Sequence, residues 1–279
     1  MTLTDKALWV IERNLDRPLT LTEIAEACGV SRYHLAHAFG RAAGLSVMQY
    51  IRGRRLSAAA RTLANGAPDI LNLALDAGYG SHEAFSRAFR AQFGATPEGV
   101  RRKASTEDLP MIEAMRIPEE SRVELAPPRF VSGAPMLFVG LSRKHAFGTP
   151  QGIPAQWQEF MVHYGEIPDK ARPIPVGVTA DMDDDGNFDY VCAAEVSRFS
   201  TAPRGLIQLR APAQRYAVFL HSEHVAKIGA TYSAIWNHWL PEHDRAAADG
   251  PSLEIHLETF DPQTGLGGVE IWIPLRQAA

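Results

Sequence analysis

The chain predicts two domains of different class, an all-α tandem helix-turn-helix domain followed by an α+β domain. Three observations predict this. Two stretches about 49 to 50 residues apart repeat one another, so that Ala25, Gly29, Phe39 and Gly44 correspond to Ala74, Gly78, Phe89 and Gly94. Beyond about residue 121 the apolar period changes from helical to strand-like. The charge divides in the same place. Of 279 residues, 1–104 carry 14 Lys and Arg against 9 Asp and Glu, net +5, while 105–279 carry 14 against 23, net −9. A phosphate backbone attracts the first part and repels the second.

In chain order, Thr4 is the expected cap of a first helix reaching about Asn14, and Thr20 or Thr22 caps the next. The first unit runs from Leu21 to Gly44, with Ile24, Ala25 and Cys28 on one face, Gly29 at the turn, and Leu35, Ala38 and Phe39 burying its second helix. A long helix from about Ser46 to Leu63 joins the units, and Arg52, Arg54 and Arg55 near its start are candidates for phosphate contact. The second unit, Ile70 to Gly94, repeats the pattern with Leu73, Ala74, Phe85, Phe89 and Phe93. Small residues at the helix crossing, a turn residue free to adopt positive φ, and apolar anchors are what a helix-turn-helix requires. Two units in one chain suit two successive major-groove segments about 34 Å apart.

The second unit carries Ala74, Gly78, Tyr79, Ser81, Phe85, Ser86, Arg87, Phe89, Arg90, Phe93, Gly94, Thr96 and Pro97 in one register. On these residues, 3–103 resembles the DNA-binding domain of the AraC/XylS family of bacterial transcription regulators. The resemblance implies seven helices, the third and sixth reading bases in adjacent major grooves. By position it makes Arg32, Tyr33, Ala36 and His37 the base-reading candidates of the first unit, and His82, Glu83, Ser86 and Arg87 those of the second. Ala36 is smaller than the polar residues often found there, leaving Tyr33 and His37 to read. Glu83 suits a cytosine amine, and Arg87 suits guanine, a phosphate, or its own helix.

Charged and short polar residues from Ala104 to Ser121, including Glu107-Asp108 and Glu119-Glu120, mark a linker, dividing the chain into 1–104, 105–121 and 122–279. Strands are expected at about 129–142, 174–180, 188–196, 214–221, 253–260 and 268–274. Helices holding Trp157, Phe160 and Tyr164, and Tyr232, Ile235, Trp236 and Trp239, interrupt them. The order is a duplicated β-α-β-β, an antiparallel sheet with helices on one face. Alternation suggests that Leu253, Ile255 and Leu257 meet the helices, with Val269, Ile271 and Ile273 in the same sense. Glu254, His256, Glu258, Glu270 and Trp272 then line the open face, where carboxylates and aromatics suit a cationic or aromatic small molecule.

Pro251–His256 is similar to P-x-F-E-x-Y and Val269–Pro274 to V-E-[IV]-[WY]-[IV]-P, so residues 122–275 resemble the GyrI-like effector-binding domain. The resemblance gives Glu254 the place of a ligand-facing glutamate, and His256 stands where tyrosine is usual. Tyr190 and Glu195 are further pocket candidates. Asp181, Asp183, Asp185, Gly186 and Asn187 imitate a calcium loop but have Cys192 at its twelfth position, and read as a hairpin turn. His221, His224, His238 and His243 read as structural rather than as a metal site. Cys28 and Cys192 sit in apolar segments as buried thiols of a reducing compartment. No stretch has the length of a membrane span or the pattern of a signal peptide, so a cytoplasmic location is expected. The expectation is a transcription regulator without cofactor, metal or catalytic residue. Its partners are double-stranded DNA, a small-molecule effector and RNA polymerase, with no membrane contact. The rear domain leaves open two other readings, a small-molecule hydrolase and a protein-interaction module.

Overall fold

The computed structural model describes residues 1–67, 69–116, 123–147, 152–243 and 245–276, so Glu119-Glu120 of the expected linker lies outside the described residues. The front part contains α1 (Leu3–Glu12), α2 (Leu21–Cys28), α3 (Arg32–Ala43), α4 (Val47–Ala64), α5 (Ile70–Asp76), α6 (His82–Phe93) and α7 (Pro97–Lys103). Side-chain oxygens of Thr20, Ser31, Ser46, Asp69, Ser81 and Thr96 accept from backbone N–H groups of the helices they start. These satisfy donors that have no partner within the helix. α1 differs from expectation. Thr2 and Asp5 form a capping box, and Thr4 lies buried inside the helix, its hydroxyl bonded to Asn237 Oδ1 at 2.7 Å. The linker's start is not detached: Ser57 Oγ accepts from the Ile112 amide at 2.9 Å and Tyr50 Oη from the Met115 amide at 3.0 Å.

The rear part contains β1 (Arg129–Gly133), β2 (Met136–Ala146), α8 (Ile153–Tyr164), β3 (Val176–Met182), β4 (Asn187–Val196), β5 (Ile207–Ala211) and β6 (Gln214–His221). There follow α9 (Ile228–Ala234), a π-helical turn (Ile235–Trp239), α10 (Leu240–Glu242), β7 (Ser252–His256) and β8 (Val269–Leu275). The strands form one antiparallel sheet in the order β1-β6-β8-β7-β3-β4-β2-β5. The single run expected at 129–142 is two strands, and β5 was not expected. Each edge strand pairs with the other repeat, β1 with β6 and β5 with β2.

This order forces curvature. β1 and β2 stand six strand spacings apart, ~29 Å across a flat sheet, yet only Ala134-Pro135 joins them, a reach of ~11 Å. Pro212-Ala213 imposes the same demand on β5 and β6. The sheet therefore curls, and its concave face fills with Phe138, Val176, Val178, Val191, Leu253 and Ile255. The convex face carries the helices: α8 rests on Tyr190, Cys192 and Ala194, and α9 with the π-helical turn rests on Phe219, Ile271 and Ile273.

Two cores organise the front. The second unit buries Leu56, Phe85, Phe89, Phe93 and Val100 by itself. The first unit's core of Ile11, Ile24, Leu35 and Phe39 continues without a break into Phe219, Trp236, Ile271 and Ile273 of the rear domain. Truncating Phe89 to Ala should cost about 3–5 kcal/mol and remove hydrogen-exchange protection only within the second half of α4 and α5–α7. Trp236→Ala should remove it from α1–α3 and α9–β8 together. Protection of α1–α3 that survives Trp236→Ala would show that the two cores are energetically separate.

The candidate effector site and the DNA-reading helices

Glu254 lies on β7 opposite Gly177 of β3 and Ile271 of β8, on the convex face beneath the helices. This reverses the expected facing. The concave face is apolar, so Leu253 and Ile255 turn into it, and Glu254 and His256 turn toward α8 and α9. Glu270 and Trp272 go to the concave face, where Arg129 pairs with Glu270 at 2.7 Å and lies over the Trp272 ring. Glu195 is also on that face, paired with Arg172 at 2.6 Å. Of the six expected pocket residues, Glu254, Tyr190 and His256 share a face, and Glu270, Trp272 and Glu195 are on the other.

Two phenols hold the Glu254 carboxylate. Tyr190 Oη donates to Oε2 at 2.7 Å and Tyr232 Oη to Oε1 at 2.9 Å. Burial, and then the charge of Glu254, pushes both phenols well above their ordinary range, fixing them as donors. Gly177 makes the first bond possible, since a Cβ there would stand 2.3 Å from Tyr190 Oη. Trp157 Nε1 donates to the same oxygen at 3.3 Å, and the Trp157 ring meets His256 edge-on at 5.3 Å. The sequence places Tyr232 only on the apolar stripe of its helix. A tyrosine on such a stripe needs a partner for its hydroxyl, and that was the available signal. His221 bonds Thr231 Oγ1 and the His224 carbonyl, a structural role.

Arg41, from the last turn of α3, closes this site. Its guanidinium carbon lies 4.1 Å from the Tyr232 ring centroid, 5.3 Å from Phe147 and 5.9 Å from Phe188. The rest of α3 follows it onto the rear domain. His37 stacks on Trp236 with centroids 4.5 Å apart and planes 11° apart, and it is only 2% exposed. Tyr33 Oη donates to the Gly250 carbonyl at 3.0 Å, and His34 Nε2 lies 2.9 Å from the Trp236 carbonyl. Ala36 packs against the shared core, and Arg32 pairs with Asp184 at 2.6 Å. All four base-reading candidates of the first unit thus face the rear domain.

In the second unit Glu83 and Arg87 are exposed, and His82 is partly exposed beside Glu98 at 3.4 Å. Ser86 Oγ is buried without a partner, so it is turned from solvent. The arginines of α4 are mostly committed within the front part. Arg54 binds Glu12 at 2.8 and 2.9 Å, and Arg55 donates to the Leu15 and Arg17 carbonyls, which removes both from phosphate contact. Arg52 pairs with Asp185 at 2.8 Å, across a cleft between the β3–β4 hairpin and α4.

Two helix-turn-helix units followed by an α+β domain define the architecture of a DNA-binding transcription regulator with a small-molecule binding domain. Residues 126–276 match the GyrI-like small molecule binding domain, and residues 16–103 a helix-turn-helix domain. The chain belongs to the GyrI-like family and is an AraC-type DNA-binding regulator. It is 24% identical to the transcriptional regulator Rob of Salmonella typhimurium over 99% of this chain and 98% of that one. It is 36% identical to the regulatory protein SoxS of Escherichia coli over 36% of this chain and 94% of that one. A solved structure of SAV2435 bound to tetraphenylphosphonium is 19% identical and covers 54% of this chain and 94% of its own, with a TM-score of 0.45. Among the described residues no helix is long and apolar enough to cross a membrane.

Burial holds His37 well below the ordinary histidine range, with Arg41 and His34 adding to the effect, and burial also lowers His34 and His256. The unfolded chain takes up protons near pH ~6.5 that the folded chain refuses. Stability is therefore full above that range and declines as pH falls below it. Thermal melts should be level above about pH 7 and drop toward pH ~5.5, with a shallower drop in His37→Gln. An equal slope in that variant would clear His37 as the cause.

Proposed function

We propose that the rear domain binds a cationic aromatic effector at Glu254, and that the front domain binds a specific duplex site through α3 and α6. The observation that carries the effector reading is one carboxylate held by two phenols among Trp157, His256, Phe147 and Phe188. The partly buried carboxylate attracts a cation, and the surrounding ring faces add cation–π attraction. The DNA reading rests on the +5 charge of residues 1–104 and on the exposed Glu83 and Arg87 of α6. RNA polymerase is the partner that turns occupancy of the site into transcription. The domain acts by binding rather than by catalysis, because Tyr190 and Tyr232 engage both oxygens of Glu254 and the nearby Cys192 thiol is pushed up by burial.

Tetraphenylphosphonium is a suitable probe. Titration calorimetry should show binding to the full chain, reduced at least about ten-fold in Glu254→Gln, which keeps the shape and removes the charge. Equal affinity in that variant would exclude Glu254 as the cation's partner. Genomic fragments selected by the full chain should contain a discrete motif. Arg87→Ala should weaken that motif by about 1–3 kcal/mol while leaving scrambled DNA nearly unchanged.

A further inference from the structure

We infer that the first DNA-reading helix is itself the resting occupant of the effector site. Arg41 sits in the aromatic rim around Glu254 and keeps α3 off DNA until a cationic effector takes its place. The inference rests on the effector reading above for the identity of the competitor, and on separate observations for the masking.

Three observations meet here. The first is chemical. Arg41 is a cation from the front domain, and it lies over the ring whose hydroxyl donates to Glu254, with Phe147 and Phe188 completing the enclosure. A cationic aromatic ligand seeks the same faces, so the two compete. The second is electrostatic. Asp184 and Asp185, at the tip of the β3–β4 hairpin, pair with Arg32 and Arg52. Carboxylates on the acidic domain thereby take the positions that DNA phosphates would take against the basic one. The third is a deficit. His37 Nδ1 and Nε2, Arg41 Nε and Trp236 Nε1 are all buried without a hydrogen-bond partner. Buried polar atoms in native structures are nearly always satisfied, so the closed arrangement leaves these four with partners still to find. Opening supplies those partners, water or base edges for His37 and phosphate for Arg41. An effector that binds the opened site better than the closed one shifts the balance by that difference.

Gly40 offers a clean test. A Cβ there would stand 2.1 Å from the Phe147 ring, the nearest atom outside its own helix, so Gly40→Ala drives α3 and the Phe147 side of the rim apart. Alanine also favours helix over glycine, so the front domain itself gains. The full-length chain, Gly40→Ala and Arg41→Ala are compared on the selected DNA fragment by binding titration and footprinting, each with and without tetraphenylphosphonium. Masking predicts that the unmodified chain alone protects one major-groove segment through α6. Arg41→Ala protects two with a smaller gain, because it gives up its phosphate contact, and Gly40→Ala protects two and binds about ten-fold tighter. Tetraphenylphosphonium should bring the unmodified chain to that level and add little to the variants.

The inference is overturned if the unmodified chain already protects two segments, or if neither variant gains affinity. It is also overturned if tetraphenylphosphonium, bound by calorimetry, leaves DNA affinity unchanged. If both variants gain but tetraphenylphosphonium does not bind at all, masking is supported, and it is the class of effector assigned above that fails.

Discussion

The stack of His37 on Trp236 is the contact around which this molecule is arranged. It joins the first helix-turn-helix unit to the second repeat of the sheet domain, and it lies where one hydrophobic core becomes the other. Its energetics are finely divided. Aromatic pairing contributes about 0.5–1.5 kcal/mol beyond area burial. Each polar atom buried without a partner opposes it by about 1–3 kcal/mol, and His37, Arg41 and Trp236 bring four such atoms. Apolar burial of Tyr33, Ala36 and the neighbouring core must make up the difference. A junction that carries such opposing terms is one on which a ligand's differential affinity for the open and closed states can act.

The π-helical turn at Ile235–Trp239 explains how one short segment serves both sides. Ile235 and Trp239 pack toward the sheet, Trp236 meets α3, and Asn237 bonds the Thr4 hydroxyl and the Ala38 carbonyl, all of them buried. An α-helix of 3.6 residues per turn presents a narrower stripe, and the wider π turn brings consecutive residues into contact on two fronts. Tyr232, one turn earlier, is where the two functions meet. Its hydroxyl holds Glu254 and its ring carries Arg41.

The sequence made the helices and the facing of β8 legible, with Ile271 and Ile273 toward the helices, but not the facing of β7, for one physical reason. Front helices have one apolar stripe and capping residues at their starts, so period and cap agree; only the start of α1 slipped, from Thr4 to Thr2. A curled sheet with helices outside has two buried faces. In β7 the alternation of Leu253 and Ile255 against Glu254 and His256 separates the faces without saying which one meets a helix. The apolar pair went to the concave core, and Glu254 went beneath α8 and α9. The break at Ala134-Pro135 and the short β5 followed from closure of the sheet, which no local period records. Arg41 carried no signal at all, because a basic residue in the last turn of a helix is ordinary.

Masking one reading helix while leaving the other exposed has a consequence for how the protein finds its site. α6 carries its exposed Glu83 and Arg87 on a core separate from the shared one, so it engages DNA without disturbing the closed junction. Once it does, α3 is held within a few tens of Å of the next major-groove segment, and its docking becomes intramolecular. The hairpin ion pairs that oppose it, Arg32 with Asp184 and Arg52 with Asp185, are about half exposed on every side chain. Such pairs are weak and screened by salt. DNA phosphates, presented in a row at high local charge, compete with them well. The hydrophobic and aromatic part of the junction is indifferent to phosphate, and that is the part an effector at Glu254 addresses. DNA and effector therefore pull on different components of one contact, so that each raises the affinity for the other.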